Sequence, residues 1–318
     1  GPVSMINGQD RDRPKQVCSS RQDTPLTRLY VGLRATRDVS QPEVRTMQDM
    51  MHYNFPEMNT ASEFDEEEEE KTIKNMVHNN FPSMNEASQF QEAREALRLV
   101  GGAPALLAEL EGLGFVQGGQ LTTGTKPYNV FARVASGAMT QPGMEAETAK
   151  LGEAADRFMI ASNLSEKDEH WASAEPEWVG KASMSERHRF MLVRDLSWSL
   201  FNVLAFGMEG EAELRAAVEM LEAMEAAAKE YTSKTAGWST NVGMYFHVYG
   251  HASINALHLH LVDLDATGPT YDALSYKNLP LQAVLDVLRA ELEAADPETE
   301  LALEPPSDAG DVLGDKPI

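Results

Sequence analysis

The sequence predicts an α+β fold, an antiparallel sheet with one long helix, preceded by a small helical module. Three observations carry that expectation. Residues 211–231 place Leu214, Val218, Leu221 and Ala228 on one helical face, with Glu and Lys elsewhere. Short runs of β-forming residues lie on both sides of that helix, at 128–134, 157–162 and 189–193 before it and at 241–248 and 257–264 after it. Strand, strand, long helix, strand, strand is an order that favours antiparallel pairing.

Composition bounds what the chain can be. It has 318 residues, 42% of them hydrophobic, which supplies a packed core. Lys and Arg number 27 against 50 Asp and Glu, a net charge of −23. That charge excludes a chain-wide nucleic-acid coat, because phosphate binding by counterion release needs clustered cations. Residues 1–45 are locally basic, with eight Lys or Arg against five Asp or Glu. The single cysteine, Cys18, excludes an intrachain disulfide and suits a reducing compartment. No apolar run approaches the roughly 18 residues of a membrane span, and no signal-peptide core is present. The expectation is a cytoplasmic or nuclear protein with no membrane association. Gly1-Pro2-Val3-Ser4-Met5 reads as a cloning remnant before a start methionine.

Residues 1–24 are polar and aperiodic, a flexible arm. A helical module is expected over 25–120; within it Leu26 to Leu33 suits either a strand or a helical turn. The module contains a duplication: residues 46–64 (TMQDMMHYNFPEMNTASEF) recur at 72–90 (TIKNMVHNNFPSMNEASQF) with 11 of 19 positions identical. Each copy reads as a helix stopped at Asn-Phe-Pro and a new helix capped by Asn59 or Asn85. The acidic run Asp65 to Glu70 separates them as a solvated linker or helix start. His52 and His78, with Asn54 and Asn80, suit a metal or peptide site; the simpler reading makes Phe55, Met58 and Phe64 core and the His and Asn caps, since two His are too few for a closed zinc site. Next comes a helix over 92–99, a break at Gly101-Gly102, and a short helix from Pro104 with Leu106, Leu107, Leu110 and Leu113 on one stripe. The stretch GGAPALLAELEGLGFVQGG resembles the end of a PUB domain, a helical module that binds peptide tails of an ATPase, so the resemblance implies a protein partner.

The second domain is expected over 126–295. Tyr128 to Val134 alternates and ends at Ser136-Gly137, a strand and turn. Residues 165–185, with Trp171 and Trp178, form an insertion loop between the next two strands. A helix follows Pro280 through Val284, Leu285, Leu288 and Leu292, and residues 296–318 are an acidic, Pro-rich disordered tail.

Chemistry concentrates in one place. His247, His251, His258 and His260 fall within fourteen residues. Side chains alternate along a strand, so His258 and His260 share one face while Leu257, Leu259 and Leu261 turn to the core. Val or Thr would serve a purely structural strand better; the alternative is a solvated face with incidental His.

The run Ser253-Ile254-Asn255-Ala256-Leu257-His258-Leu259-His260-Leu261-Val262 resembles the histidine triad (HIT) signature, in which His alternates three times with apolar residues. It looks closest to the branch containing aprataxin and the scavenger mRNA decapping enzyme, where a Ser stands three residues before the first triad position, as Ser253 does before Ala256. The long helix and Asn129-Val130-Phe131-Ala132-Arg133-Val134 fit the family's order. The resemblance implies a nucleotide-binding domain, nucleotidyl hydrolase or nucleotidyltransferase chemistry, and a small nucleotide ester, anhydride or phosphoramidate as substrate. In it His258 is the nucleophile that forms a covalent nucleotidyl-histidine, His260 the third triad member, and Ser253 a phosphate contact. Nucleotide contacts are then expected from Asn129, Phe131, Arg133, Phe158, His251 and Asn255, with Phe131 and Phe158 near the base; aromatic core positions explain those two as well.

The chain departs from the family at two points. Ala256 stands at the first triad position, and the family's His-(apolar)4-Pro-Lys strand finds only Arg189-Phe190-Met191-Leu192-Val193-Arg194-Asp195. His251 or His247 is the candidate to reach in. Lys277 is a candidate phosphate ligand or a solvated lysine. No cofactor and no metal are called for, and a homodimer is expected. Two other classes remain open: a catalytically impaired nucleotide-binding or protein-interaction module, and a cupin-like metal site built from His258, His260, Asp263 or Asp265 and Gly268. The acidic body favours a small nucleotide over a polymer, which only Arg133, Arg189, Arg194 or the basic arm would meet.

Overall fold

A computed structural model describes residues 80–125 and 127–295 of the chain. The arm, the first copy of the duplication, most of the second copy up to Asn79, His52, His78 and the tail lie outside the described residues.

The second copy of the duplication leads into α1 (Ala87–Leu99). Asn85, expected to cap this helix, instead precedes the cap: Glu86 is the N-cap, and the Gln89 side chain accepts from both the Asn85 and Glu86 backbone N–H groups, at 2.9 and 3.1 Å. Asn85 Nδ2 instead donates to the Ser275 carbonyl at 3.2 Å. Gly101, at φ +112°, breaks the chain before α2 (Gly102–Gly112), whose buried face is Ala103, Leu106 and Leu110. A hairpin of β1 (Val116–Gln117) and β2 (Gln120–Leu121) turns through Gly118 and Gly119, both at positive φ, as a two-residue hairpin turn requires.

Tyr128 to Val134 is a 3-10 turn (Pro127–Asn129) followed by helix α3 (Val130–Ala135), not a strand. Six residues cannot separate the two periods well, and the buried set Phe131, Ala132, Val134 and Ala135 is that of a helix. Helix α4 (Met144–Ala149) precedes β3 (Phe158–Ser162). The insertion at 165–185 begins with helix α5 (Ser165–Glu169) and reaches β4 (His188–Val193). Helix α6 (Glu211–Lys234) is the long helix; Glu211 and Glu213 in its first turn and Lys234 in its last oppose the helix dipole. Then follow β5 (Val242–Phe246), β6 (His258–Asp263), α7 (Pro269–Leu274), β7 (Leu279–Pro280) and α8 (Leu281–Ala295).

The five strands β3-β4-β6-β5-β7 form one antiparallel sheet. The fold is thus α+β with an antiparallel sheet. Register assigns the faces: Leu192 pairs with His258, Phe190 with His260 and His188 with Val262. These side chains, with Met159, Ala161 and Tyr245, make one face. The other holds Phe158, Ile160, Met191, Val193, Leu259 and Leu261, buried beneath the layer of α6 and α8.

Helices α1 and α2 share this core. Arg94 of α1, wholly buried, makes a bidentate pair with Glu291 of α8 (Nε–Oε1 2.8 Å, Nη2–Oε2 2.6 Å), and its Nη1 donates to the Leu204 carbonyl at 3.1 Å. Met84 N–H donates to the Tyr276 carbonyl at 2.6 Å, tying the second repeat copy to the turn before β7.

Candidate functional site

Strand β6 puts His258 and His260 on one face and Leu259 and Leu261 on the other, as period two dictates. The histidine face is not open to solvent as expected: every residue from His258 to Asp263 is buried. Phe131 of α3 stands edge-on to His258 with centroids 5.0 Å apart, and Phe190 of β4 does the same to His260 at 5.0 Å. Met184, at the end of the insertion, closes another side.

The hydrogen bonds fix where each proton sits. His188 Nδ1 accepts from the Met184 backbone N–H and from Asn163 Nδ2, both at 3.3 Å. Its proton is therefore on Nε2, which donates to His260 Nδ1 at 3.1 Å. His260 in turn carries its proton on Nε2, which is buried and has no partner among the described residues. His247 Nε2–H donates to Asn278 Oδ1 at 2.9 Å, and its ring lies 4.0 Å from that of His260. His258 Nδ1–H donates to the Ala256 carbonyl at 2.7 Å. The lone pair of His258 is thus on Nε2, which makes no hydrogen bond among the described residues.

All four imidazoles are held neutral. Burial lowers His258 to about 4, against the favourable Ala256 carbonyl, and Lys277 lowers it further. Burial, then Arg189 and His258, brings His188 to about 3. Burial likewise holds His247 and His260 well below the ordinary imidazole range, with Lys277 and neighbouring imidazoles adding to it. A neutral imidazole with one nitrogen pinned and the other bare can act as a nucleophile, as a base or as a hydrogen-bond acceptor.

The remaining expected residues divide. Asn129 and Asn255 meet each other: Asn255 Nδ2 donates to Asn129 Oδ1 at 2.7 Å, and Asn255 N–H donates to the Tyr128 carbonyl at 2.8 Å. Both are buried, so they join the start of α3 to the loop before β6 and hold that loop in place. Ser253 lies half-buried in the same loop, and Arg133 half-buried on α3. Phe158 does not join the site: it pairs with Val193 on the opposite face, under Arg157. His251 turns away from His258, its Nε2–H donating to the Phe81 carbonyl at 2.8 Å. Ala256 is buried, and neither His247 nor His251 is hydrogen-bonded to His258. Lys277 is not a solvated lysine but 4% exposed.

The carboxylates of a cupin-like centre face elsewhere. Asp263 is on the Leu face of β6, where it accepts from Ser239 N–H and Oγ, and Asp265 accepts from Asn241 Nδ2. Among the described residues no group of three or more His, Cys, Asp and Glu is placed to hold a metal ion. No described helix is long and apolar enough to cross a membrane.

Sequence reasoning missed His188 and Phe190. The strand starts at His188, one residue before the expected run 189–193, and its alternation puts His188, Phe190 and Leu192 on one face. Asn163 and Met184 carry no such signal, because a loop brings them in. No protein-family model matches the chain, and no curated protein is significantly similar to it in sequence.

Proposed function

We propose that the protein is a HIT-like nucleotide-binding protein that hydrolyses or transfers the nucleotidyl group of a small nucleotide ester, anhydride or phosphoramidate through His258. One observation carries the reading: His258 Nδ1–H is held by the Ala256 carbonyl, which leaves Nε2 unprotonated and unbonded beside Phe131. In the proposed reaction Nε2 attacks the α-phosphorus, a P–N bond forms, and the P–O or P–N bond to the leaving group breaks. Water then attacks the nucleotidyl-histidine and releases the nucleotide. Phe131 offers an aromatic wall for the base. The Ala256 carbonyl fixes the tautomer of His258, and His188 Nε2–H fixes that of His260 beside it.

Binding without turnover is the second reading, and Ala256 favours it. A methyl group occupies the first triad position, and no imidazole takes its place at His258. Incubation with α-labelled dinucleoside polyphosphate, adenylated and capped substrates, followed by denaturation and trapping at alkaline pH, where a P–N adduct survives and from which acid releases it, separates the two. The enzyme reading expects a labelled adduct that His258→Ala abolishes. Nucleotide binding with no adduct and no hydrolysis sinks it in favour of the second.

A further inference from the structure

The hydrogen bonds that reach His188 do not end at Asn163. Asp168 lies in α5, half-buried, and its Oδ2 accepts from Arg189 Nη1 at 3.2 Å; the same Nη1 donates to the His188 carbonyl at 2.7 Å, which fastens the carboxylate beside β4. Asp168 Oδ1 accepts from the hydroxyl of Ser183, a wholly buried residue at the end of the insertion. Ser183 Oγ accepts from Asn163 Nδ2 at 2.6 Å, and that Nδ2 also donates to His188 Nδ1 at 3.3 Å. Three segments far apart in the chain thus converge on one imidazole.

The chain has only one sense. A carboxylate paired with a guanidinium offers acceptors alone, so the Ser183 hydroxyl must spend its proton on Asp168. Only lone pairs remain on Ser183 Oγ for Asn163, so the amide turns its NH2 toward it, and the second hydrogen of that NH2 faces His188 Nδ1. His188 Nδ1 then accepts, Nε2 carries the proton, and His260 Nδ1 receives it as an acceptor. The Met184 N–H, which can only donate, agrees with this sense, although its bond to His188 Nδ1 is long at 3.3 Å. An amide passes no proton on, so the chain transmits orientation and not charge.

We propose that Asp168, Ser183 and Asn163 are positioning residues of the histidine site, which act through His188 to hold His260 in its Nε2–H tautomer. His260 then spends its lone pair on His188, and the nucleophilic lone pair is left to His258. The purpose of this division rests on the nucleotide reading above; its geometry does not.

The test is long-range 1H–15N correlation of the imidazoles in the full chain, 15N-labelled at histidine, near pH 7.5. The wild type is expected to show protonated Nε2 and bare Nδ1 at His188 and His260, and the reverse at His258. In Asp168→Ala the Ser183 hydroxyl is released and the Asn163 amide is free to turn. The minor tautomer of His188 and His260 is expected to rise by about tenfold, the usual worth of one such bond, so that their Nδ1 and Nε2 resonances move toward each other while those of His258 stay. Ser183→Ala cuts the chain at its middle and is expected to do the same; it is read alone if Asp168→Ala loses its circular dichroism signature. Unchanged His188 and His260 resonances, an equal movement of His258, or a protonated His188 Nδ1 in the wild type overturns the proposal. No ligand enters these spectra, so they decide it independently of the adduct assay, whose failure in the wild type would remove the nucleotide reading and leave the tautomers as measured.

Discussion

His188 Nε2–H donates to His260 Nδ1 across the β4–β6 ladder, so two buried imidazoles share one proton in the hydrogen bond between them. A further proton on either ring would break the chain of acceptors that runs from Met184 N–H through His188 to His260. The pair therefore resists acid, and the resistance has a thermodynamic consequence. Unfolded histidines take up protons near pH 6.5, whereas folded His188 does so only near 3 and His258 near 4. Above pH 6.5 both states are neutral and full stability is present. As pH falls below 6.5 the unfolded state alone gains protons, and stability declines down to the folded values. Each such imidazole removes about 1.4 kcal/mol by pH 5.5. Urea unfolding at pH 7.5 and 5.5 is expected to show a loss of several times that amount for His188, His247, His258 and His260 together. Ordinary carboxylates are still ionised in that window, so a flat profile there would contradict the neutral cluster. In His188→Ala the fall between the two pH values shrinks by one imidazole's share.

Arg94 and Glu291 join α1 to α8, and this contact decides how firmly the helical segment is held to the sheet. Glu291 also pairs with Arg98 at 2.5 Å, whereas Arg94 is wholly buried, so it is removal of the carboxylate that strands a buried charge, and Glu291→Ala is expected to cost about 3–5 kcal/mol in chemical denaturation. Replacing both with apolar residues, as in Arg94→Met with Glu291→Leu, costs much less than the single change. Additive losses would show that the pair is solvated and weak.

Gly268 holds the insertion against the segment between β6 and α7, its N–H donating to the Met184 carbonyl at 2.9 Å. A Cβ at this position would stand 1.8 Å from the Trp171 carbonyl oxygen, which is backbone and cannot swing aside. Gly268→Ala is expected to lower stability by about 1–3 kcal/mol, as overpacking does, and to change Trp fluorescence at Trp171. Gly112→Ala is the control: nothing lies within 4 Å of its Cβ and it is helical, so it is neutral or slightly stabilising.

The parts of this architecture that follow a local period were legible in the sequence. α6 is legible because its apolar stripe repeats over several turns, and the sharing of one face by His258 and His260 is legible because period two leaves no choice. α3 was not: its six residues satisfy both periods, and only packing of Phe131 on Phe190 and His258 decides between them. Nor was the burial of Lys277, since a lysine beside Tyr276 has no local mark of enclosure; its Nζ meets the carbonyl of His251, 26 residues earlier in the chain. The same holds for His188, whose role depends on register with a strand 72 residues later.

The duplication was the most conspicuous feature of the sequence, and the described half of its second copy explains which identities matter. From Asn80 to Phe90 the two copies differ at only three positions, Ser83, Glu86 and Gln89, where the first copy has Glu57, Thr60 and Glu63. None of the three is buried, while Phe81, Met84 and Phe90, identical in both copies, are. The repeated residues are therefore those that dock this segment on the turn at Ser275 and Tyr276 and on the core behind it. Writing the first copy's residues into the second, as Ser83→Glu, Glu86→Thr and Gln89→Glu, is expected to change unfolding free energy by no more than about 0.5 kcal/mol each. A carboxylate at position 89 still accepts from the Asn85 and Glu86 N–H groups, and Thr caps a helix well. Met84→Ala, by contrast, is expected to cost about 2–5 kcal/mol, because it empties a fully buried position. Urea titrations of the single variants decide it: a large loss at 83, 86 or 89 would mean that the differing positions carry contacts of their own, and that the two copies are not interchangeable as docking elements.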